Sequence, residues 1–214
     1  MTVAKHDASV RGARWRFDRW SGSYERDRRS RWLATLQDPA LEALDLGPGD
    51  RLLDVGCGTG RAVRLAAPVV AFAAGLDVSS GMVGRARTLS EGIDNVQFVE
   101  GEAGALPFDD GSMTAVLCTS SFHHYPDPVG AAHEMARVLR PEGRVVIADP
   151  CADRRAVRVA DRVLRVVEPG HVAMYRSDQL RDFLEEAGLR PVARRFLWER
   201  AFQFLKAVKP EPTR

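Results

Sequence analysis

The residues with the clearest chemical potential lie between positions 52 and 60, where the chain reads LLDVGCGTG. Glycines at alternate positions let the backbone approach a ligand closely, and Asp54 precedes them. A dinucleotide fingerprint, G-x-G-x-x-G, would need its third glycine where this chain has Arg61. The Asp54 carboxylate would also repel a phosphate and attract a cation. The spacing and the charge therefore favour a cationic ligand over a dinucleotide.

The residues that follow add two further chemical features. A helix beginning after the loop offers N–H groups and a partial positive charge, which suit a carboxylate. A ligand with an ammonium group and a carboxylate would match both ends, and the methionine moiety of S-adenosylmethionine has both. Asp77, at the end of the apolar run AFAAGLDV, lies about twenty residues after the loop, where an acidic side chain reaches a ribose. NAD enzymes share that acidic residue, so an NAD-dependent dehydrogenase stays an alternative, disfavoured by the loop spacing.

The order of the motifs resembles that of the class I S-adenosylmethionine-dependent methyltransferases, in particular the small-molecule branch that includes the quinone-biosynthesis C-methyltransferases. The motifs are LLDVGCGTG, GLDVSSGMVGRA, VEGEAGALPFDDGSM, SSFHHYPDP and ARVLRPEGRVVIAD. They cover most of the chain. The resemblance implies an enzyme that uses S-adenosylmethionine to methylate a small-molecule acceptor on carbon, oxygen or nitrogen.

The resemblance also implies a cofactor site, residue by residue. The positions concerned are Asp54, Gly56, Cys57, Gly58, Gly60, Asp77, Val78, Met82, Glu102, Ala103, Ser120 and Tyr24. The glycine loop would hold the methionine end, Asp77 the ribose and Glu102 the adenine amino group. The family usually has Asp where this chain has Glu102, so the longer side chain would change the reach of that contact.

Acceptor residues are expected in polar loops at the carboxyl ends of the strands, where open α/β sheets bind ligands. Two loops, SFHHY from position 121 and GHVAMYR from position 170, could supply a base or an orienting donor. The candidate catalytic residues are His123 and His171, and the candidate substrate contacts are Trp20, His124 and Tyr175. Packing is the alternative for each histidine, and it is the favoured one for His124. Methyl transfer itself requires no obligatory catalytic side chain, because positioning supplies much of the rate.

The N-terminal segment differs in character from the rest of the chain. Residues 11–31 interleave arginines with aromatic side chains, which allows an RNA-modifying methyltransferase as an alternative. Acidic residues interrupt the charge, however, and this favours aromatic packing with the arginines directed to solvent. The run FDRWSGSYE also looks like the segment that folds over the cofactor in related enzymes. We predict a helical cap or lid over residues 1–44 and a methyltransferase core over 45–210, within one domain.

The element pattern predicts a Rossmann-like, doubly wound α/β fold. Its seven-stranded sheet should be mostly parallel, with an antiparallel hairpin built from residues 191–198 and 201–208 at its C-terminal end. A helix is expected over residues 153–167. The side chains of that helix predicted to face inward are Val157, Ala160, Val163, Leu164 and Val167.

Composition sets bounds on partners and location. A net charge of +2 over 214 residues is typical of an ordinary soluble enzyme, so no nucleic-acid partner is expected. No apolar run is long enough to span a bilayer, and no secretory signal is evident, so a cytoplasmic monomer or homodimer is predicted. The three cysteines lack C-x-x-C spacing and the carboxylates do not cluster. The sequence therefore predicts no metal site.

Overall fold

The protein is described by a computed structural model that covers residues 3–212, and for residues 3–5 and 29 only the backbone is described. Seven strands form one sheet in the order β3-β2-β1-β4-β5-β7-β6. The strands are β1 Arg51–Val55, β2 Phe72–Asp77, β3 Val96–Glu100, β4 Met113–Thr119, β5 Leu139–Pro150, β6 Arg190–Leu197 and β7 Phe202–Val208. β1 to β5 pair in parallel, whereas β7 pairs antiparallel with both β5 and β6. The predicted fold class is confirmed.

Eight helices accompany the sheet within the described residues. They are α1 Val3–Ser21, α2 Arg28–Ala34, α3 Gln37–Leu44, α4 Arg61–Ala66, α5 Ser80–Leu89, α6 Pro128–Val138, α7 Arg155–Val167 and α8 Ser177–Glu186. Both faces of the parallel strands are covered: Leu53 and Val55 belong to one buried cluster and Leu52 to the other. Strand order reverses between β1 and β4, which is where ligands bind in open α/β sheets.

The N-terminal helices occupy two different environments. α1 packs chiefly on α5, whereas α3 packs against β4 and β5 and buries Ala40 and Leu44. The predicted cap covers residues 1–44, of which residues 1–2 lie outside the described residues. It therefore contains one helix that packs on α5 and another, α3, that packs directly on the sheet.

The predicted inward face of α7 is wrong. Val163 and Val167 are 54% and 65% exposed, Ala160 is exposed as well, and Val157 and Leu164 are only half-buried. Asp161 is the buried residue of this helix. Its carboxylate accepts from the backbone N–H of Met174 at 2.7 Å and is hydrogen-bonded to His171, so polar contacts orient the helix. The apolar periodicity identified the helix but not the side that packs.

Candidate active site

A cavity of about 340 Å³ opens at the carboxyl ends of the first four strands. Its volume lies within the range of small-molecule sites, roughly 300–1,000 Å³. Its wall includes most of the positions that the resemblance assigned to a cofactor. They are Tyr24, Gly56, Cys57, Gly58, Asp77, Val78, Met82, Glu102, Ala103 and Ser120. Asp54 and Gly60 lie behind this wall, in β1 and at the start of α4.

The glycine loop is shaped by close packing as well as by the cavity. The N–H groups of Gly56 and Cys57 both donate to the Leu76 carbonyl of β2, at 2.8 and 3.0 Å. Gly56 and Gly60 have φ values of 78° and 76°, a region that favours glycine. A Cβ at Gly60 would also collide with the ring of Phe98. The loop therefore holds its backbone against the cavity only with glycines at these positions.

Asp54 is the most unusual polar group in the site. Its carboxylate is fully buried, and neither oxygen has a hydrogen-bond partner within the described part of the chain. Burial, with a smaller contribution from nearby Asp77, raises its pKa to about 8. A buried polar group without a partner costs about 1–3 kcal/mol, and more when charged. A cationic ligand group in the adjoining cavity would favour the charged form of this carboxylate, so the residues present fit a ligand with an ammonium or sulfonium group.

Asp77, at the end of β2, is held in a fixed orientation. Its carboxylate accepts from the N–H of Gly58 at 2.8 Å and from the N–H of Ser79 at 2.9 Å. Burial raises its pKa to about 6, while these two N–H groups act in the opposite direction. The side chain lines the cavity and is nearly buried, so it offers its remaining lone pairs to a ligand. Hydroxyl groups such as those of a ribose are suitable donors.

The predicted adenine end lies where α1 meets the core. Val78, Met82, Glu102 and Ala103 line the cavity together. Glu102 is engaged by the ring of His6, with Nε2 3.2 Å from the carboxylate. His6 also lines the cavity, although the sequence analysis assigned it no role. Its place in the site depends on how α1 docks, and no local motif indicates that.

α1 is anchored on α5 by a half-buried acidic residue, Asp18, that the sequence did not single out. Asp18 accepts from the hydroxyl of Ser79 at 2.6 Å and from the N–H of Gly81 at 2.9 Å. Arg14 adds a hydrogen bond to the Val78 carbonyl at 3.1 Å. These contacts place α1 across the adenine end of the cavity.

Residues 20–25, near the end of the N-terminal segment, lie beside the glycine loop. Tyr24 lines the cavity, and burial followed by the charge of Asp77 raises its pKa to about 12, so it is a neutral donor. Trp20 packs edge-on against Tyr24, with ring centroids 4.8 Å apart, and is not among the cavity-lining residues described. Thr59 donates to Glu25 at 2.8 Å, which ties this segment to the glycine loop.

One of the predicted acceptor-loop residues, His124, lines the cavity. Its Nδ1–H donates to the Gly170 carbonyl at 2.9 Å, and the edge of Phe17 meets its ring at 5.2 Å between centroids. Burial, followed by the proximity of His123, lowers the pKa of His124 well below its usual value. The ring is therefore neutral at physiological pH.

Tyr125 was missed by the sequence analysis, although it follows the two histidines directly. Its hydroxyl donates to the Val55 carbonyl at 3.0 Å and accepts from Ser121 at 2.8 Å. It thereby ties the end of β1 to the turn after β4 within the cavity wall. Ser120 precedes this turn with a φ of 52° and a buried hydroxyl that lacks a hydrogen-bond partner among residues 3–212.

Three other predicted acceptor residues lie behind the wall instead of lining the cavity. His123 is buried, with Nδ1 3.0 Å from Asp149. His171 is buried, with Nε2 2.9 Å from Asp161. Tyr175 packs in the core against aromatic neighbours, with its ring 5.1 Å from that of Phe183.

Comparison with known proteins establishes the family. Residues 53–147 match a family model described as a methyltransferase domain. The chain is also 33% identical over 180 residues to a demethylmenaquinone methyltransferase of Tropheryma whipplei, covering 81% of this chain and 73% of that protein. The chain belongs to the class I S-adenosylmethionine-dependent methyltransferases. S-adenosylmethionine is the cofactor of this enzyme class, and the Asp54 and Asp77 environments fit it.

One further relative is similar in sequence, and one solved structure is similar in fold. A 27-O-demethylrifamycin SV methyltransferase of Amycolatopsis mediterranei is 37% identical over 163 residues, which is 73% of this chain and 60% of that protein. The solved structure of YcgJ from Bacillus subtilis superposes with a TM-score of 0.74 at 20% identity, over 84% of this chain and all of that one.

The methyltransferase spans only part of several curated relatives. The sequence match covers 60% of the length of the rifamycin enzyme and 56% of the length of the Bacillus subtilis protein YcgJ. Among residues 3–212, no helix combines the length and the apolar character needed to cross a membrane. The cytoplasmic location and the monomeric or dimeric state stay predictions.

Proposed function

We propose that this methyltransferase methylates a small apolar molecule that carries a readily ionised hydroxyl, such as a phenol, quinol or enol, on its oxygen or on an adjacent carbon. S-adenosylmethionine supplies an electrophilic methyl group on a sulfonium centre when bound. The chain's own contribution is then to hold the two reactants in line, to exclude water and to accommodate the proton that the acceptor loses.

The cofactor end of the proposal rests on two carboxylates and the glycine loop. Asp54 would pair with the ammonium group of the methionine moiety, and Asp77 would accept from the ribose hydroxyls. The buried Asp54 carboxylate, which has no hydrogen-bond partner among the described residues and lies two residues before Gly56, is the strongest support for this cofactor. Such a group favours a cationic ligand at this loop and disfavours the pyrophosphate of NAD.

The part of the cavity beside His124, hereafter the acceptor end, is apolar where α1 lines it. Val10, Ala13 and Phe17 contribute to the cavity wall beside His124. Because the pKa of His124 is strongly lowered, this ring is a weak proton acceptor. An acceptor that ionises readily by itself needs no stronger base, which supports phenols, quinols and enols over simple alcohols. One relative is a demethylmenaquinone methyltransferase, which supports a quinone-like ring acceptor, and another is a 27-O-demethylrifamycin SV methyltransferase, which supports oxygen as a possible methyl acceptor.

The RNA-modifying alternative is disfavoured by the arginines of the N-terminal segment. Arg14 pairs with Glu100 at 3.4 Å, and Arg16 forms an ion pair with the largely buried Glu168. Arg14 and Arg16 thus hold α1 on the core through ion pairs, so these two side chains are engaged with carboxylates and not with phosphates.

Transfer of a labelled methyl group tests the proposal. The full chain would be incubated with methyl-tritiated S-adenosylmethionine and a panel of phenols, quinols, aliphatic alcohols, amines and RNA. Label should appear in the phenols, quinols or both, and Asp77→Ala should abolish it while Asp94→Ala, at an exposed position, should not. Labelling confined to amines or aliphatic alcohols would contradict the acceptor class, and labelling of RNA would favour the alternative.

A further inference from the structure

Three histidines come together behind the acceptor end of the cavity, where the sequence analysis predicted no metal site. They are His123, His124 and His171, hereafter the histidine cluster. One ring nitrogen of each lies within 4.8 Å of those of the other two. The backbone fixes this arrangement, because the N–H groups of Val172 and Ala173 both donate to the His123 carbonyl at 3.1 Å. The cluster thus joins the turn after β4 to the loop after α7.

One ring nitrogen of each histidine is already held by a neighbouring group. Nδ1 of His123 is hydrogen-bonded to Asp149 at 3.0 Å, and Nδ1–H of His124 donates to the Gly170 carbonyl at 2.9 Å. Metal-binding histidines almost always have their second nitrogen held in this way by a carboxylate or a backbone carbonyl. Such hydrogen bonds fix the tautomer and direct the remaining nitrogen toward the metal.

His171 gives the same pattern with a second, independent observation. Its Nε2 is hydrogen-bonded to Asp161 at 2.9 Å, and Asp161 is itself held by Arg165 at 2.8 Å. Its Nδ1 is buried without a hydrogen-bond partner among the residues described, and the side chain is 0% exposed. A buried acceptor left without a partner carries an energetic cost, which a ligated ion would remove.

We propose that the histidine cluster binds one divalent late first-row transition ion, of the chemical class of Zn²⁺. Three imidazole nitrogens suit such ions, and the carboxylates of Asp149 and Asp161 behind the rings would balance the charge. Tetrahedral ligation with bonds of about 2.0–2.1 Å requires nitrogens about 3.3 Å apart, so the rings would close by up to about 1.5 Å. Three protein ligands leave one position open, and His124 borders the cavity. The proposal concerns metal binding and does not depend on methyl transfer.

Metal titration of the full chain, freed of any purification tag and of bound metal, tests the proposal. Zn²⁺ should bind with a stoichiometry of one by calorimetry, and Co²⁺ should give visible d–d absorption bands. Replacing one ligand, His171→Ala, should abolish both signals, whereas His133→Ala, at an exposed histidine of α6, should leave them unchanged. The conservative change Asp161→Asn should weaken Zn²⁺ affinity about 10- to 100-fold, and Asp94→Asn, at an exposed aspartate, should not.

Folding and cofactor binding provide the control. Each variant would be checked by its melting temperature and by the further stabilisation that S-adenosylhomocysteine confers. Wild-type protein that responds to S-adenosylhomocysteine but binds no Zn²⁺ would overturn the metal proposal and leave the methyltransferase assignment intact. Zn²⁺ binding that survives in a folded His171→Ala variant would also overturn it, since the ion would then lie elsewhere, for example at a cysteine.

Discussion

Replacing Asp54 by asparagine should remove the proton that cofactor binding releases. The pKa of Asp54 is raised to about 8 in the absence of ligand, so about 0.9 of the molecules carry this proton at pH 7. A cation bound beside the carboxylate favours the charged form and expels the proton. The pKa of Asp77, about 6, adds only about 0.1 proton at the same pH. Binding should therefore release about one proton, nearly all of it from Asp54.

Calorimetry with S-adenosylhomocysteine in two buffers of different ionisation enthalpy measures this number directly. The ligand keeps the ammonium group and the carboxylate, and its own ionisation cancels when wild type and Asp54→Asn are compared. The variant should release about 0.9 proton fewer at pH 7. For the wild type, affinity should rise roughly tenfold per pH unit between pH 6 and 8 and then level off. Equal proton release from both proteins would refute the pairing of Asp54 with the cationic end.

The same carboxylate gives a stability prediction for the ligand-free protein. A raised folded-state pKa means that the folded protein keeps its proton where the unfolded chain has lost it. The stabilisation that protonated Asp54 gives to the folded state is fully present below about pH 4 and is lost as the pH rises to about 8. Over that range the free energy of unfolding falls by up to about 1.4 kcal/mol per pH unit. Asp54→Asn should flatten this slope in chemical unfolding measured from pH 5 to 8. An identical slope in the variant would contradict the raised pKa.

Three further predictions concern the rest of the site. Asp77→Ala should remove the thermal stabilisation by S-adenosylhomocysteine while the ligand-free protein stays folded, with a melting temperature lowered by the loss of the Gly58 and Ser79 hydrogen bonds; full stabilisation would contradict the ribose contact. His124→Ala should lower turnover on the order of 10- to 100-fold without changing that stabilisation, because the acceptor end loses a wall residue; normal turnover would return His124 to a packing role. Gly60→Ala should lower the free energy of unfolding by more than the roughly 1–2 kcal/mol of a left-handed residue, because its Cβ meets Phe98. Gly92→Ala, with a φ of 83° and open space, is the matched control and should cost less.

Much of the fold could be predicted because the relevant signals are local. The apolar run before Asp54 and the glycines after it identify a buried strand that enters a tight loop. The same reasoning places Asp77 at the end of the next strand. Since parallel strands bring their carboxyl ends to one edge, these two carboxylates had to lie near each other. The two consecutive strand candidates at the end of the chain likewise predict the antiparallel hairpin.

The parts that could not be predicted depend on long-range packing. The pairing of His6 with Glu102 and that of Asp18 with the start of α5 depend on how α1 docks, which no short motif encodes. The inward face of α7 was predicted from apolar spacing, but the buried hydrogen bonds of Asp161 decide it. His171 lies 47 positions after His124, and only the fold brings the two rings to 6.1 Å between centroids.

The glycine loop with Asp54 and Asp77 should bind S-adenosylmethionine and not a dinucleotide. Thermal unfolding with ligand at about a hundredfold its dissociation constant tests this expectation most directly, because binding then adds about 2.7 kcal/mol of stability. For a chain of this size, S-adenosylhomocysteine should raise the melting temperature by about 5–11 °C, and NAD should leave it unchanged. A shift with NAD and none with S-adenosylhomocysteine would contradict the assignment of this loop to S-adenosylmethionine.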